Sequence, residues 1–168
     1  TYEKLAALLT RKSQEIGHPI YIISDEPYRE IIYDGLPILY VPKFYKDTII
    51  CYSYSKSLSL PGERIGYVLV PDCAADAQEV YTAVCGAGRS MGFVCAPHLF
   101  QDVVLKCLGQ TGDMNIYDEN RKLLYNGLRE MRYDPVYPSG ALHIFVKSPH
   151  SAVQTLSDTA NTLTLLIV

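Results

Sequence analysis

CYSYSKSLSLPGERIGY, residues 51–67, sets one lysine, Lys56, inside a run of hydroxyls. The apolar residues Thr48, Ile49 and Ile50 lead in, a Pro61-Gly62 turn follows, and Arg64 stands eight residues after the lysine. A second apolar run, residues 65–70, leads out. Lysine is rarely buried unless paired, and a free amine with a pKa near ~10.4 stays charged. At the carboxyl end of a buried strand such a residue makes most sense if its amine is used chemically.

Working outward, residues 48–52 read as a strand, and 65–70 as a second one antiparallel to it, because only a tight loop separates them. Upstream, Tyr2–Ile16 reads as a helix with Leu5, Leu8, Leu9 and Ile16 on one face, ended by Gly17. Tyr21, Ile22 and Ile23 form a short strand that stops at Ser24-Asp25-Glu26-Pro27, since proline keeps Glu26 out of helical geometry. Helix followed by buried strand is the rhythm of an α/β protein with a parallel sheet. A helical turn or two is expected over 28–34 and a loop over 35–47.

Downstream, Pro71-Asp72 is expected to cap a helix with Ala77, Val80, Tyr81 and Val84 as its apolar stripe, stopping near Gly86-Ala87-Gly88. Gly86-Ala87-Gly88-Arg89 resembles a dinucleotide fingerprint only loosely, because Gly92 is one residue late and no strand precedes it. A helix end and loop fits better. Further helices are expected over 97–108 and 114–131, the second with Ile116, Leu123, Leu124, Leu128 and Met131 inward. A hairpin over 133–146, a helix over 152–161 and a strand over 163–168 complete an α+β region. The expected division is 1–113 and 114–168.

Composition narrows the classes. The 168 residues are 48% hydrophobic and 20% charged, which is globular. The net charge of −3 gives no reason to expect nucleic acid or an anionic membrane as partner. No run approaches the length of a membrane span. The five cysteines form no CxxC pair and the four histidines are scattered, so reduced thiols, a cytoplasmic location and no metal are expected. The amino end is charged and amphipathic, unlike a signal peptide, and begins with Thr1; the chain is expected to be a piece of something longer.

Asp25 and Lys56 each fall just beyond the carboxyl end of an expected strand, the edge where open α/β sheets bind ligands. Taken alone, Asp25 reads equally as a turn cap and Lys56 as a surface lysine in a loop. With Arg64 they form a set. A phosphate-bearing aldehyde cofactor needs an amine for an imine, hydroxyls and a guanidinium for its phosphate, and a carboxylate at its pyridine nitrogen. Lys56, then Ser53, Ser55 and Arg64, then Asp25 supply these, and Tyr28 could reach the ring hydroxyl. For Ser57, alternation along a half-polar strand is the preferred reading.

Asp25-Glu26-Pro27-Tyr28, Ser53-Tyr54-Ser55-Lys56 and Leu60-Pro61-Gly62-Glu63-Arg64-Ile65-Gly66-Tyr67 together resemble the class I/II aminotransferases, pyridoxal-phosphate enzymes of fold type I. The D-x-x-Y and S-x-S-K-x7-R elements stand in that family's order. The resemblance implies an α/β fold: residues 1–113 as the carboxyl-terminal part of the large cofactor domain, with a mostly parallel sheet, and 114–168 as the linking helix and part of a small α+β domain. It implies that Lys56 forms the internal aldimine and shuttles a proton, that Asp25 pairs with the pyridinium, that Tyr28 meets the phenolic oxygen, and that Ser53, Ser55 and Arg64 anchor the phosphate.

The resemblance also implies amino acid and 2-oxo acid substrates and a homodimer, in which Arg89 would approach an active site across the interface. The family's phosphate loop, ring-stacking aromatic and ring-hydroxyl asparagine lie upstream of a segment like this, and its substrate-carboxylate arginine downstream. The chain alone is therefore expected not to transaminate efficiently. Ala141-Leu142-His143 departs from the Ala/Thr-Phe-Tyr usual after the turn glycine. A carbon–sulfur β-lyase and a non-catalytic cofactor-binding module remain as alternatives.

Overall fold

The computed structural model describes residues 1–147. The chain divides into two compact units, Thr1–Gly112 and Asp113–Val168. The expected helix over 152–161 and strand over 163–168 lie outside the described residues.

The first unit begins with α1, Tyr2–Ile16, closed by Gly17 at φ 76, whose N–H returns to Ser13 O. Glycine takes this left-handed conformation without steric cost. Three strands follow: β1 (Ile22–Asp25), β2 (Thr48–Ser53) and β3 (Gly66–Leu69). They lie in the order β1-β2-β3. β1 pairs with β2 in parallel, with Asp25 opposite Cys51. β2 pairs with β3 antiparallel, with Ser53 opposite Gly66.

Alternation along β2 decides the faces. Thr48, Ile50 and Tyr52 are buried, whereas Ile49, Cys51 and Ser53 are half-buried. Ile50 and Ile31 are fully enclosed, each contributing roughly 1.5–3 kcal/mol of burial. The register puts Ile23 and Asp25 on the same side as Cys51 and Ser53, and that side is open: Ile23 is 71% exposed. Gly66 lies directly against the β2 backbone. A Cβ there would stand 2.2 Å from Tyr52 O and 3.0 Å from Ser53 Cα, so no side chain fits.

Asp47, at the entrance to β2, is a buried polar junction. Its carboxylate accepts from Ala75 N and Lys46 Nζ, both at 2.7 Å, while its carbonyl accepts from Ile22 N at 2.9 Å. Tyr45 Oη donates to Ile20 O at 2.6 Å, and Tyr21 Oη to Ala75 O at 2.9 Å. These bonds fix the long β1–β2 connection, which contains one 3-10 turn, Val41–Lys43.

Several expectations shift. Residues 27–30 form a turn rather than a helix; its closing bonds run from Arg29 N to Glu26 O and Ile31 N to Tyr28 O. The next helix, α3, does not start at Pro71-Asp72. Asp47 claims the Ala75 N–H, and the helix begins only at Ala77, behind Asp76 at φ 49. Nor does it stop at Gly86-Ala87-Gly88. It runs Ala77–Ser90 through both glycines, and Met91 caps it with bonds to Ala87 O and Gly88 O. Glycine weakens a helix interior by about 1 kcal/mol, which is not enough to end one here. The single turn Tyr54–Ser57 is α2, and α4 is His98–Lys106.

The second unit is built on α5, Met114–Glu130, whose Asp113 side chain accepts from Asn115 N. Its expected inward stripe is mostly not inward: Ile116, Leu123, Leu124 and Met131 are exposed, Leu123 at 75%, and Leu128 is half-buried. The buried residue of α5 is Arg121. Its guanidinium donates to Pro138 O at 2.8 Å, pairs with Asp118 and stacks over the Tyr137 ring at 4.7 Å. The expected hairpin is reduced to one antiparallel bridge, Pro135 to Val146.

Candidate active site

Three backbone segments meet at one edge of the sheet: the end of β1, the end of β2 and the start of β3. β1 ends on Asp25, exposed on the open face. Glu26 N then donates to Cys51 O at 2.8 Å, carrying the parallel ladder one residue further before Pro27 turns the chain. Ser53 closes β2 and caps α2, the single helical turn Tyr54–Ser57, its Oγ accepting from Ser55 N at 3.3 Å. Tyr54 N meanwhile donates to Ile65 O at 3.1 Å, which ties the start of that turn to the residue after Arg64.

Lys56 is the third residue of α2. Its Nζ stands over the Tyr28 ring, 5.6 Å from the centroid. Tyr28 and Lys56 are therefore together in space although they are far apart in the chain. Arg64 ends the turn that precedes β3. It holds φ 52, unusual for a residue with a Cβ, and donates from Nη1 to Pro61 O at 2.9 Å.

Some charges near this edge are paired and others are not. Glu26 is paired with Arg29, and Asp47 with Lys46. Asp25, Lys56 and Arg64 have no ion-pair partner among the described residues. The turn-cap alternative for Asp25 is also unrealised, since its carboxylate takes no hydrogen bond from the turn that follows. One carboxylate, one amine and one guanidinium at a sheet edge, with Ser53 and Ser55 where β2 passes into α2, match the donor and acceptor set of a phosphate-bearing aldehyde with a ring nitrogen. The residues present fit such a group.

The field at the edge is readable in Cys51. Burial pushes its thiol pKa up and the Asp25 charge pushes it further. On the reverse face, burial pushes the Tyr52 phenol up to about 12, with Ser57 opposing and Glu30 adding. A cavity of ≈ 220 Å³ is lined by Arg29, Tyr52, Tyr54, Ser57, Tyr67 and the 107–111 segment. Its lining includes neither Asp25 nor Lys56.

Sequence reasoning did not find the side chains that brace this edge from behind. Glu26 accepts from Ser24 Oγ and Arg29 Nε, each at 2.7 Å. Arg29 continues to Tyr67 Oη at 3.3 Å and lies over the Tyr52 ring. Tyr52 Oη donates to Glu30 at 2.9 Å and lies 2.7 Å from Ser57 Oγ. The alternation of Cys51, Tyr52 and Ser53 was the available signal, because it sends Tyr52 to the opposite face from its neighbours. Arg89 sits in the last turn of α3, exposed.

This is an α/β chain that gathers unpaired charges of both signs at the carboxyl edge of its parallel strands. It belongs to the class I and II aminotransferase family, whose match spans residues 2–165. A crystal structure of an amino transferase from Eubacterium rectale is similar at 56% identity and a TM-score of 0.95, over 99% of this chain and 42% of that one. The aspartate aminotransferase of Thermotoga maritima shares the fold at a TM-score of 0.76 and 23% identity, over 99% of this chain and 42% of that chain. The aspartate aminotransferase of Pyrococcus abyssi is 29% identical, over 77% of this chain and 34% of that protein. A probable N-acetyl-LL-diaminopimelate aminotransferase of Bacillus subtilis is 30% identical, over 85% of this chain and 34% of that one. The chain thus spans about a third of the length of these curated relatives.

Proposed function

We propose that this chain is the lysine-bearing segment of an enzyme that uses pyridoxal phosphate to move an amino group between an amino acid and a 2-oxo acid. The observation that supports this best is the grouping of Lys56, Asp25 and Arg64 at one sheet edge, each without an ion-pair partner among the described residues, with Tyr28 against the lysine amine. In this reading residues 1–113 belong to the large cofactor-binding domain and 114–168 to the linking helix and small domain.

Pyridoxal phosphate supplies, when bound, an electron-accepting ring that stabilises negative charge at the substrate α-carbon. The chain's own residues do the rest. Lys56 Nζ is the amine that holds the group covalently and the base that moves a proton at the substrate α-carbon. The Asp25 carboxylate keeps a proton on the ring nitrogen by charge pairing. The Tyr28 hydroxyl serves the phenolic oxygen. Ser53, Ser55 and the Arg64 fork hold the phosphate.

Borohydride reduction of the intact protein loaded with pyridoxal phosphate, followed by peptide mapping, tests the scheme. The label is expected on Lys56, and a label elsewhere overturns the assignment. With an amino acid added, a 2-oxo acid should be released. Release of ammonia and a thiol would replace this reading with a carbon–sulfur lyase, and no spectral response to any amino acid with a non-catalytic module.

A further inference from the structure

Two residues of the segment that carries Tyr28 reach across the reverse face of the sheet to β2 and β3, the strands that flank the turn bearing Lys56. Arg29, ion-paired with Glu26, donates to Tyr67 of β3. Glu30 accepts from Tyr52 of β2, whose hydroxyl also meets Ser57, the residue bonded to Lys56. Tyr52 and Ser57 are both buried, Ser57 almost completely. Backbone pairing between β1 and β2 ends at the bond from Glu26 N to Cys51 O, and the bonds made by the turn beyond it, from Arg29 N and Ile31 N, are local. The connections from that turn to α2 are made by side chains.

We infer that the chain Glu30–Tyr52–Ser57, supported by Glu26–Arg29–Tyr67, is a positioning device that sets how the turn bearing Tyr28 stands against the helical turn bearing Lys56. The inference rests on the function proposed above. The Tyr52–Ser57 bond is buried, where hydrogen bonds are stronger than in water and leaving one partner unsatisfied is costly. The two turns are therefore coupled: a shift of Tyr28 relative to Lys56 strains bonds on the other side of the sheet. Tyr52, Glu30 and Ser57 act through Tyr28 and Lys56, so they are positioning residues rather than catalytic ones.

The experiment compares wild type with Tyr52→Phe, which removes the hydroxyl and keeps the ring. In the intact protein without cofactor, amide exchange at Arg29 and Ile31 should accelerate in the variant while the core strands are unchanged. In the protein loaded with pyridoxal phosphate, the pH midpoint of the visible absorbance should rise by roughly half a unit or more. The reason is that a displaced Tyr28 hydroxyl would no longer serve the phenolic oxygen, the contact the proposed function assigns to it.

Placed in a Tyr28→Phe background, Tyr52→Phe should add no further shift, because coupled residues are not additive. Glu30→Gln, which keeps an acceptor, should stay near wild type. A lowered melting temperature with an unchanged midpoint overturns the inference, as does an equal shift in both backgrounds. If Tyr52→Phe does not fold, Ser57→Ala is read in the same way. Failure of the wild-type protein to take up pyridoxal phosphate on Lys56 would instead overturn the proposed function, whatever the variants do.

Discussion

Asp25 stands opposite Cys51 in the parallel register of β1 and β2, and its charge adds to burial in raising the Cys51 thiol pKa. The thiol therefore reports on the carboxylate. In the cofactor-free protein, Asp25→Asn should let Cys51 ionise at lower pH, seen as a downward shift in the pH profile of its alkylation. With pyridoxal phosphate bound, the same variant should lose amino transfer by about 10²-fold or more, the scale of a lost proton-managing group. An unmoved alkylation profile would separate Asp25 from Cys51 in solution.

Gly66→Ala should destabilise the protein by on the order of 1–3 kcal/mol, because overpacking against backbone cannot relax through a rotamer. The new Cβ would meet Tyr52 O and Ser53 Cα. Gly62→Ala is the control, having nothing within 4 Å of its Cβ position. Denaturant midpoints at constant slope distinguish them; equal midpoints would contradict the close β2–β3 approach.

Alkaline stability should carry the mark of Tyr52. Its folded pKa is raised to about 12 by burial, against about 10 when unfolded. The folded state favours the neutral phenol, so its contribution is complete below pH ~10 and is lost as pH rises from there toward about 12, on the order of 2 kcal/mol in all. Urea midpoints should fall more steeply over this window in wild type than in Tyr52→Phe. Identical slopes would remove Tyr52 from the alkaline limb.

The strands and the lysine stretch were legible because local signals agreed there: apolar runs, Pro27 stopping β1, and Pro61-Gly62 turning toward β3. The edge residues followed from residue chemistry and order alone. The α5 stripe misled for a physical reason. Periodicity shows that a helix has an apolar face but not what covers it, and in the described residues Leu123 and Leu124 are exposed while Arg121 is enclosed. A charged side chain can occupy an interior when it finds a carbonyl, a carboxylate and an aromatic ring together, and those partners, Pro138, Asp118 and Tyr137, are spread along the chain. Gly86 and Gly88 misled because their cost is a preference, which the surrounding helix overrides. In the Glu30–Tyr52–Ser57 chain the alternation along β2 gives only the face of Tyr52, and the Glu30 partner, 22 residues away, leaves no local pattern.

Arg89→Ala addresses the proposed homodimer. Exposed at the end of α3, Arg89 in this reading approaches the neighbouring subunit's site. Its loss should weaken amino acid substrate affinity by on the order of tenfold, the worth of one charged hydrogen bond. Steady-state kinetics on the intact enzyme measure this, and an unchanged KM would refute the role.

Arg64 keeps a backbone conformation, φ 52, that glycine could occupy freely and that costs other residues on the order of 1–3 kcal/mol. Replacement by glycine is therefore a route to a sturdier fold and, under the proposed function, to a weaker hold on phosphate at the same position. A sequence selected for robustness alone would drift toward glycine here. Under the proposed function, the arginine side chain and the backbone it hangs from make opposite demands on this position.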